Sequence, residues 1–223
     1  CVNTMFGPQG DGPGATDAFV NLLERAGLAL EVPGGIDKLC CGTPWSSKGL
    51  SEGHDVMEKR VVDTVVPLTD GGKLPIIVDA SSCTAGFRDL LESHGVTVID
   101  AIAFTAEHIL PALDVAHPAE SVTLHPTCSA FQLGIMPDLE KVAGAAAREV
   151  NVPTAWNCCG YAGDRGMLHP ELTASATRAE AAQAKEFGAQ YHASTNRTCE
   201  LGLTRATGSD YHHILELLDK ASR

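Results

Sequence analysis

Eight cysteines are the residues of this sequence whose type and spacing point most directly to chemistry. They are Cys1, Cys40, Cys41, Cys83, Cys128, Cys158, Cys159 and Cys199. Four of them form two adjacent pairs, and a glycine follows each pair. Neighbouring cysteines rarely bridge each other, because the ring that they would close is strained. Thiolates are preferred ligands of iron–sulfur clusters and of zinc, so the pattern indicates metal binding.

The order of the cysteines occurs twice along the chain, which predicts a tandem duplication. Each copy has a single cysteine, then Cys-Cys-Gly, then a single cysteine, and the offsets between the copies are 127, 118, 118 and 116 residues. We expect the first half to span residues 1–112 and the second to span residues 119–223.

Helical and strand signals alternate in both halves, which favours an α/β fold with mainly parallel strands. Strands are predicted at residues 28–32, 74–79, 96–100, 121–125 and 190–193. Helices are predicted at residues 15–26, 51–68, 84–94, 102–110, 139–150, 171–187, 198–206 and 213–220. Helical spacing in the segment 51–68 predicts a buried face of Val56, Met57, Val61, Val62 and Val65.

Single cysteines follow the predicted strands closely, and open α/β sheets bind ligands beyond the carboxyl ends of their strands. Cysteines that are distant in sequence are therefore expected to converge on loops at the strand ends, four in each half. Four thiolates suit a [4Fe-4S]-type cluster, in which adjacent cysteines can bind different irons. The same four thiolates are an awkward set for a single zinc ion, because its cysteine ligands usually stand two to four residues apart.

Basic and histidine residues near the cysteines are further candidates for the site. Lys48 and Arg165 follow the two pairs at similar offsets and are predicted to offset the negative charge of thiolate-ligated clusters, or else to be ordinary surface charges. His125 is either a neighbour of a cluster or a hydrogen-bonded histidine at a strand end. His212 and His213 are expected at the surface, at the start of a helix.

Composition excludes several classes of function for this chain of 223 residues. A formal net charge of −12 disfavours binding to nucleic acid. The sequence has no apolar run long enough for a membrane span. It also has no P-loop and no G-x-G-x-x-G motif, so nucleotide or FAD binding within this chain has no support. We expect a cytoplasmic protein that reaches the inner face of the membrane only through partners.

Four stretches carry a resemblance to a known family: CCGTPWSSKG (40–49), HPTCS (125–129), CCGYAGDRG (158–166) and STNRTCE (194–200). The chain resembles the cysteine-rich CCG domain pair found in heterodisulfide reductase and in glycolate oxidase iron–sulfur proteins. The four stretches are similar to the C-terminal part of FAD-linked D-lactate dehydrogenases of the cytochrome type. The resemblance covers essentially the whole chain.

The resemblance implies an iron–sulfur electron-transfer module of a flavin-dependent 2-hydroxy-acid dehydrogenase. It implies one or two clusters here, with FAD and substrate oxidation in other domains of the parent enzyme. Flavin and ferredoxin-like domains would precede this module as partners, and an electron acceptor associated with the membrane would follow.

The chain departs from the family pattern at one point in each half. The family closes each half with Cys-x-x-Cys, whereas Ala80 and Asn196 stand at the first of these positions. Four cysteines therefore remain in each half, which favours a four-cysteine cluster. Two other functions stay open: a zinc-stabilised interaction module, and thiol–disulfide catalysis like that of heterodisulfide reductase.

Overall fold

A computed structural model of the chain describes residues 6–32 and 34–223, so Cys1 lies outside the described residues. The predicted α/β class is confirmed. Every strand in the described residues pairs in parallel, either in a two-stranded or in a four-stranded sheet.

The first half contains the two-stranded sheet, with helices before, between and after its strands. Its helices and strands are α1 (Gly14–Arg25), α2 (Thr43–Ser46), α3 (Ser51–Val65), β1 (Ile76–Val78), α4 (Ser81–Leu91), β2 (Val98–Asp100) and α5 (Ala101–Phe104). Short 3-10 turns lie at Ile36–Lys38, Val66–Thr69, Glu92–His94 and Leu110–Ala112, and one π-helical turn lies at Thr105–Ile109.

In the second half, strands and helices alternate around the larger sheet. They are β3 (Ala119–Leu124), α6 (Cys128–Gln132), α7 (Met136–Ala146), β4 (Ala147–Asn151), α8 (Arg165–Leu168), α9 (Pro170–Ala176), α10 (Arg178–Phe187), β5 (Tyr191–Ser194), α11 (Arg197–Thr207), β6 (Tyr211–His213) and α12 (Ile214–Ala221). The strand order is β4-β3-β5-β6.

This strand order places a topological switch point between β3 and β5. The chain leaves β3 for β4 on one side and then returns to β5 on the other. Connections therefore diverge at the carboxyl ends of β3 and β5, which is where open α/β sheets form a crevice.

The larger hydrophobic core combines residues from both halves. Helix α1 buries Ala18, Phe19, Leu22 and Leu23 in the same cluster that contains the leucines of α12. Arg25 at the end of α1 forms an ion pair with Asp219, which is fully buried on α12. The boundary between residues 1–112 and 119–223 stays a prediction, since α1 packs across it.

The smaller core lies around β1 and β2, and α3 contributes Met57, Val61 and Val65 to it. These positions follow each other at four-residue spacing and so share one face of the helix. The prediction that Val56 is buried was wrong, because its side chain is 61% exposed.

Several predicted segments differ from the observed ones. Residues 28–32 form no strand, and Val32 is 58% exposed. The helix predicted at 139–150 ends at Ala146 and continues as β4, which pairs with β3. The last helix was predicted to begin at residue 213, but Tyr211–His213 forms β6, which pairs with β5, and the helix begins at Ile214. The helix predicted at 171–187 is divided into α9 and α10 at Thr177.

None of the helices in the described part of the chain combines the length and the apolar character that crossing a membrane requires.

Candidate metal centres

The cysteines of the second half lie where β3 and β5 end. Cys128 is the first residue of α6, four residues after the end of β3, and Cys199 is the third residue of α11, which begins three residues after the end of β5. Cys158 and Cys159 lie in the loop between β4 and α8. Cys128 and Cys199 therefore lie shortly after strand ends, as predicted. The seven cysteines in the described residues are all free thiols.

Hydrogen bonds between thiols connect the second-half cysteines. The Sγ atoms of Cys159 and Cys199 are 2.8 Å apart, and both residues are buried. The hydrogen bond from Cys199 lowers the pKa of the Cys159 thiol to about 7, while the same bond, together with burial, raises the pKa of Cys199. Cys128 and Cys158 are exposed, yet partial burial of the Cys128 thiol and the nearby charge of Cys158 raise its pKa.

Three first-half cysteines converge in a similar way. The thiols of Cys40 and Cys83 donate hydrogen bonds to Cys41, and these bonds hold the pKa of Cys41 far below its usual range. The hydrogen bond to Cys41 and burial raise the pKa of Cys40 and of Cys83. Thus the second cysteine of each adjacent pair has a lowered pKa, and the single cysteine that follows it, Cys83 or Cys199, has a raised one. Cys1, the predicted fourth ligand of this half, lies outside the described residues.

The glycine after each pair gives the loop a conformation that other residues rarely adopt. Gly42 and Gly160 have φ angles of +79° and +69°. Both are also closely packed, because a Cβ at Gly42 would lie 3.0 Å from the His54 ring and one at Gly160 would lie 3.0 Å from Ala176 Cβ. Glycine at these positions therefore lets the chain turn in a closely packed loop after each pair.

Two further glycines let neighbouring segments approach closely the helices that carry Cys83 and Cys199. Gly86 on α4 and Gly202 on α11 each follow their cysteine by three residues. A Cβ at Gly86 would lie 2.5 Å from the Cys41 carbonyl oxygen, and one at Gly202 would lie 2.9 Å from Thr173 Cγ2. This pair was not predicted from the sequence. Its signal is a helix-disfavouring glycine at the same place in both repeats.

His125 is the histidine that the fold brings to the second-half cysteines. A ring nitrogen of His125 and the Sγ atoms of Cys159 and Cys199 all lie within 4.8 Å of one another. His125 is fully buried, and its Nδ1 is 2.7 Å from Oε1 of Glu180, which is 1% exposed. His125 is therefore hydrogen-bonded through Nδ1 at a strand end and lies beside two thiols, whereas a role beside a cluster stays a prediction.

A buried group of hydroxyls lies where the two halves meet. Ser81 at the start of α4 contacts Thr127 at 3.3 Å and Thr195 at 3.1 Å, and Thr127 and Thr195 are 3.0 Å apart. Ser129 and Asn196 extend the group, with Asn196 Nδ2 donating to Ser129 Oγ at 2.9 Å. We call these five residues the hydroxyl cluster. Each lies close in sequence to one of the single cysteines, so the cluster ties the three cysteine-bearing segments together.

Lys48 and Arg165 are exposed, whereas His213 is buried. Lys48 Nζ donates to Asp164 Oδ2 at 2.6 Å, which joins the two loops that follow the cysteine pairs. Arg165 is exposed at the start of α8. A role for Lys48 and Arg165 beside a cluster stays a prediction. The prediction that His213 lies at the surface was wrong, because it is 2% exposed and its ring accepts a hydrogen bond from Leu215 N.

Comparison with known proteins adds a family and two relatives. The family model described as CCG, a cysteine-rich domain, matches residues 3–88 and again residues 122–204. A protein of Exiguobacterium sp. named Lactate utilization protein A is 23% identical in a 231-residue alignment that covers 93% of this chain and 91% of the relative. A protein of the same name from Macrococcus caseolyticus is 22% identical over 225 residues, covering 91% and 88%.

Proposed function

Because the chain belongs to the family of CCG cysteine-rich domains, we propose that it is an iron–sulfur electron-transfer module in the oxidation of lactate or a related 2-hydroxy acid. The observation that carries this proposal is the convergence of thiols from remote segments in each half. Cys159 and Cys199 are 40 residues apart in sequence and 2.8 Å apart in space.

The donor set of the second half fits a multi-iron centre. It contains four thiols, of which those of Cys159 and Cys199 are buried and those of Cys128 and Cys158 are exposed. Multi-iron clusters are held by thiolates from separate positions. The lowered pKa of Cys159 and of Cys41 keeps one thiolate in each half ready to bind a cation. When bound, such a centre would carry single electrons. The exposed Cys128 and Cys158 would hold its outer side, where an electron can leave or enter.

Two centres in one chain match the electron count of the proposed reaction. Oxidation of a 2-hydroxy acid to the 2-oxo acid releases two electrons, which a flavin can accept together and pass on singly. In this proposal the flavin lies on another domain or subunit, and the relatives named for lactate utilization support the choice of substrate. The hydroxyl cluster would hold the two centres in a fixed arrangement, because it links the segments that carry Cys83, Cys128 and Cys199.

Anaerobic reconstitution with ferrous iron and sulfide tests the proposal. We expect iron and acid-labile sulfide in near-equal amounts, visible absorption that dithionite bleaches, and reoxidation of the reduced protein by an added one-electron acceptor. Chemically reduced free flavin mixed with the oxidised protein should reduce it in a stopped-flow experiment. Protein that retains neither iron nor sulfide would overturn the proposal.

A zinc-stabilised interaction module is the second candidate function, and one observation favours it. His125 lies with Cys159 and Cys199, and a mixture of cysteine and histidine is a common donor set for structural zinc. Metal analysis of the protein isolated without reconstitution separates the two candidates. Stoichiometric zinc without iron, in a protein that does not accept a cluster, would select the second.

A further inference from the structure

His125 has one ring nitrogen engaged and one without a partner. Its Nδ1 is 2.7 Å from the buried carboxylate of Glu180. Its Nε2 is buried and has no hydrogen-bond partner among the described residues. A buried polar atom without a partner destabilises the folded state, so a partner from outside the described residues would stabilise it.

The surroundings of the ring point to a metal as that partner. The ring and the thiols of Cys159 and Cys199 come within 4.8 Å of one another, so one ion could contact all three after a small adjustment. All three side chains are at least 95% buried, so water has little access to this side of the site. Nitrogen and sulfur donors together suit zinc and iron.

Glu180 completes an arrangement that is common behind metal ligands. A ligating histidine usually donates its other ring N–H to a carboxylate, which sets the tautomer and orients the ring. Here the carboxylate comes from α10, 55 residues after His125, and it is itself almost fully buried. A carboxylate at Nδ1 fixes the proton there and leaves the Nε2 lone pair free.

We propose that His125 supplies a nitrogen ligand to the second-half metal centre through Nε2, with Glu180 as its positioning residue. This inference rests on the metal-binding part of the proposed function. His125, Cys159 and Cys199 would hold the buried side of the centre, and the exposed thiols would hold the other.

The ligand count has a consequence for the exposed thiols. The second half then has five donors, whereas a four-iron cluster takes four. One of Cys128 and Cys158 is therefore dispensable for holding the centre. We expect one of the two single variants, Cys128→Ala or Cys158→Ala, to retain the second-half iron, while Cys199→Ala loses it.

A nitrogen ligand in one half would also give the two metal centres different reduction potentials. Replacing thiolate by neutral imidazole removes negative charge from a centre and raises its reduction potential. In the first half, His54 lies against Gly42, next to the adjacent pair, and is partly exposed. The described residues there place no histidine in a group with the thiols. The inference therefore predicts a higher reduction potential for the second-half centre than for the first-half centre.

Pulsed electron paramagnetic resonance of the reconstituted, reduced protein tests the ligand directly. We expect a nitrogen hyperfine coupling typical of a directly bound imidazole, and we expect it to change from the ¹⁴N to the ¹⁵N pattern when the protein is made with ¹⁵N-histidine. This comparison needs no substitution, so it does not depend on whether a variant folds. If the protein instead holds zinc, X-ray absorption should show a nitrogen shell at about 2.0–2.1 Å beside the sulfur shell.

Variants assign the coupling to one residue. His125→Gln should abolish it, whereas His192→Gln should leave it unchanged, because the His192 ring packs on Tyr211 at 5.1 Å between centroids. Glu180→Gln should retain the coupling but raise the reduction potential, since it removes a negative charge from behind the ligand. A loaded protein without a strong nitrogen coupling would overturn the inference and leave the proposed function standing. Protein that binds neither iron nor zinc would overturn both.

Discussion

The second-half thiols lie at the switch point of a four-stranded sheet, whereas the first-half thiols lie beside a sheet of two described strands. The wider sheet and α10 enclose His125 completely, while His54, near the first-half pair, keeps 28% of its side chain exposed. In both halves, nevertheless, the second cysteine of the pair shares a hydrogen bond with the single cysteine that follows it in the sequence, and this bond lowers its pKa.

This comparison shows which features a repeated motif carries with it. Features that depend on local sequence recur in both halves, namely the paired cysteines, the left-handed glycine and the glycine that follows the single cysteine. Features that depend on neighbouring segments differ, because α10 and β3 have no described counterparts packed in the same way in the first half. The repeat therefore encodes two thiol sites, and the surrounding fold makes them unequal.

The largest expected effect comes from removing the central thiolate of one half. Cys41→Ala should eliminate the first-half centre and Cys159→Ala the second, so each variant should lose about half of the iron and sulfide of the wild-type protein. Ser47→Ala, in an exposed part of the first cysteine loop, is the control and should retain all of it. Iron and sulfide assays after reconstitution measure the result. Loss of all iron from either single variant would show that the two halves form one site.

The next effect is a pH dependence of stability, which should have opposite signs for two residues that cap helices, one in each half. Asp100 accepts a hydrogen bond from Ile102 N at the start of α5, and His213 accepts one from Leu215 N at the start of α12. Burial raises the pKa of Asp100 to about 6 from 3.8, so its stabilising contribution is complete below about pH 3.8 and is lost as the pH rises through about 6. The expected loss is on the order of 3 kcal/mol.

His213 has the opposite dependence. Burial lowers its pKa below 6.5, so its contribution is complete above about pH 6.5 and is lost as the pH falls through the lowered value. Urea unfolding of the metal-free protein between pH 4 and pH 8 measures both effects. Asp100→Asn should remove the loss at higher pH, and His213→Gln should remove the loss at lower pH. The comparison fails if either substitution leaves the profile of the wild-type protein unchanged.

A smaller effect tests the two helix glycines. Gly86→Ala should lower the free energy of unfolding by about 1–3 kcal/mol, because the new Cβ meets the backbone oxygen of Cys41. Gly202→Ala should cost less, since the Cβ meets the side-chain methyl of Thr173, which can move. Gly144→Ala on α7 is the matched control. It has nothing within 4 Å, and the substitution should stabilise the protein by about 0.5–1 kcal/mol.

Chemical unfolding of the three alanine variants, all without metal, gives the comparison. Equal destabilisation by Gly86→Ala and Gly144→Ala would show that close approach of the cysteine loop does not decide the choice of glycine at this position.

The smallest effect concerns the ion pair between the two cysteine loops. Lys48→Gln removes the bond to Asp164 and should leave stability unchanged within error, because both side chains are about half exposed. If Lys48 offsets cluster charge, as its position after the first pair predicts, the variant should have a lower reduction potential at the first-half centre. Lys59→Gln, which breaks a similar exposed pair with Asp63 on α3, is the control. Identical potentials in both variants would contradict the predicted role of Lys48, and Arg165→Gln tests its counterpart.

Much of the secondary structure was predictable because it follows from local periodicity. The buried stripe of α1 is visible as helical spacing in the sequence, and the short apolar run of β1 ends in the buried Val78. Strand β4 was not predictable in this way, since its Ala147 continues an alanine-rich helix and only pairing with β3 makes it extended. Residues 28–32 have the apolar character of a strand but lie at the surface in the described structure.

The sequence by itself determined the repeated set of thiols, because cysteine pairs with equal spacing and a following glycine are local features that repeat along the chain. It also determined the α/β class, through alternating periodicities. Only the tertiary structure decided that His125 meets Glu180 behind two of the thiols, and that four hydroxyls and an amide join the halves. These contacts link residues 46 or more positions apart, and the side chains involved are common ones whose meeting depends on how β3, β5 and α10 pack.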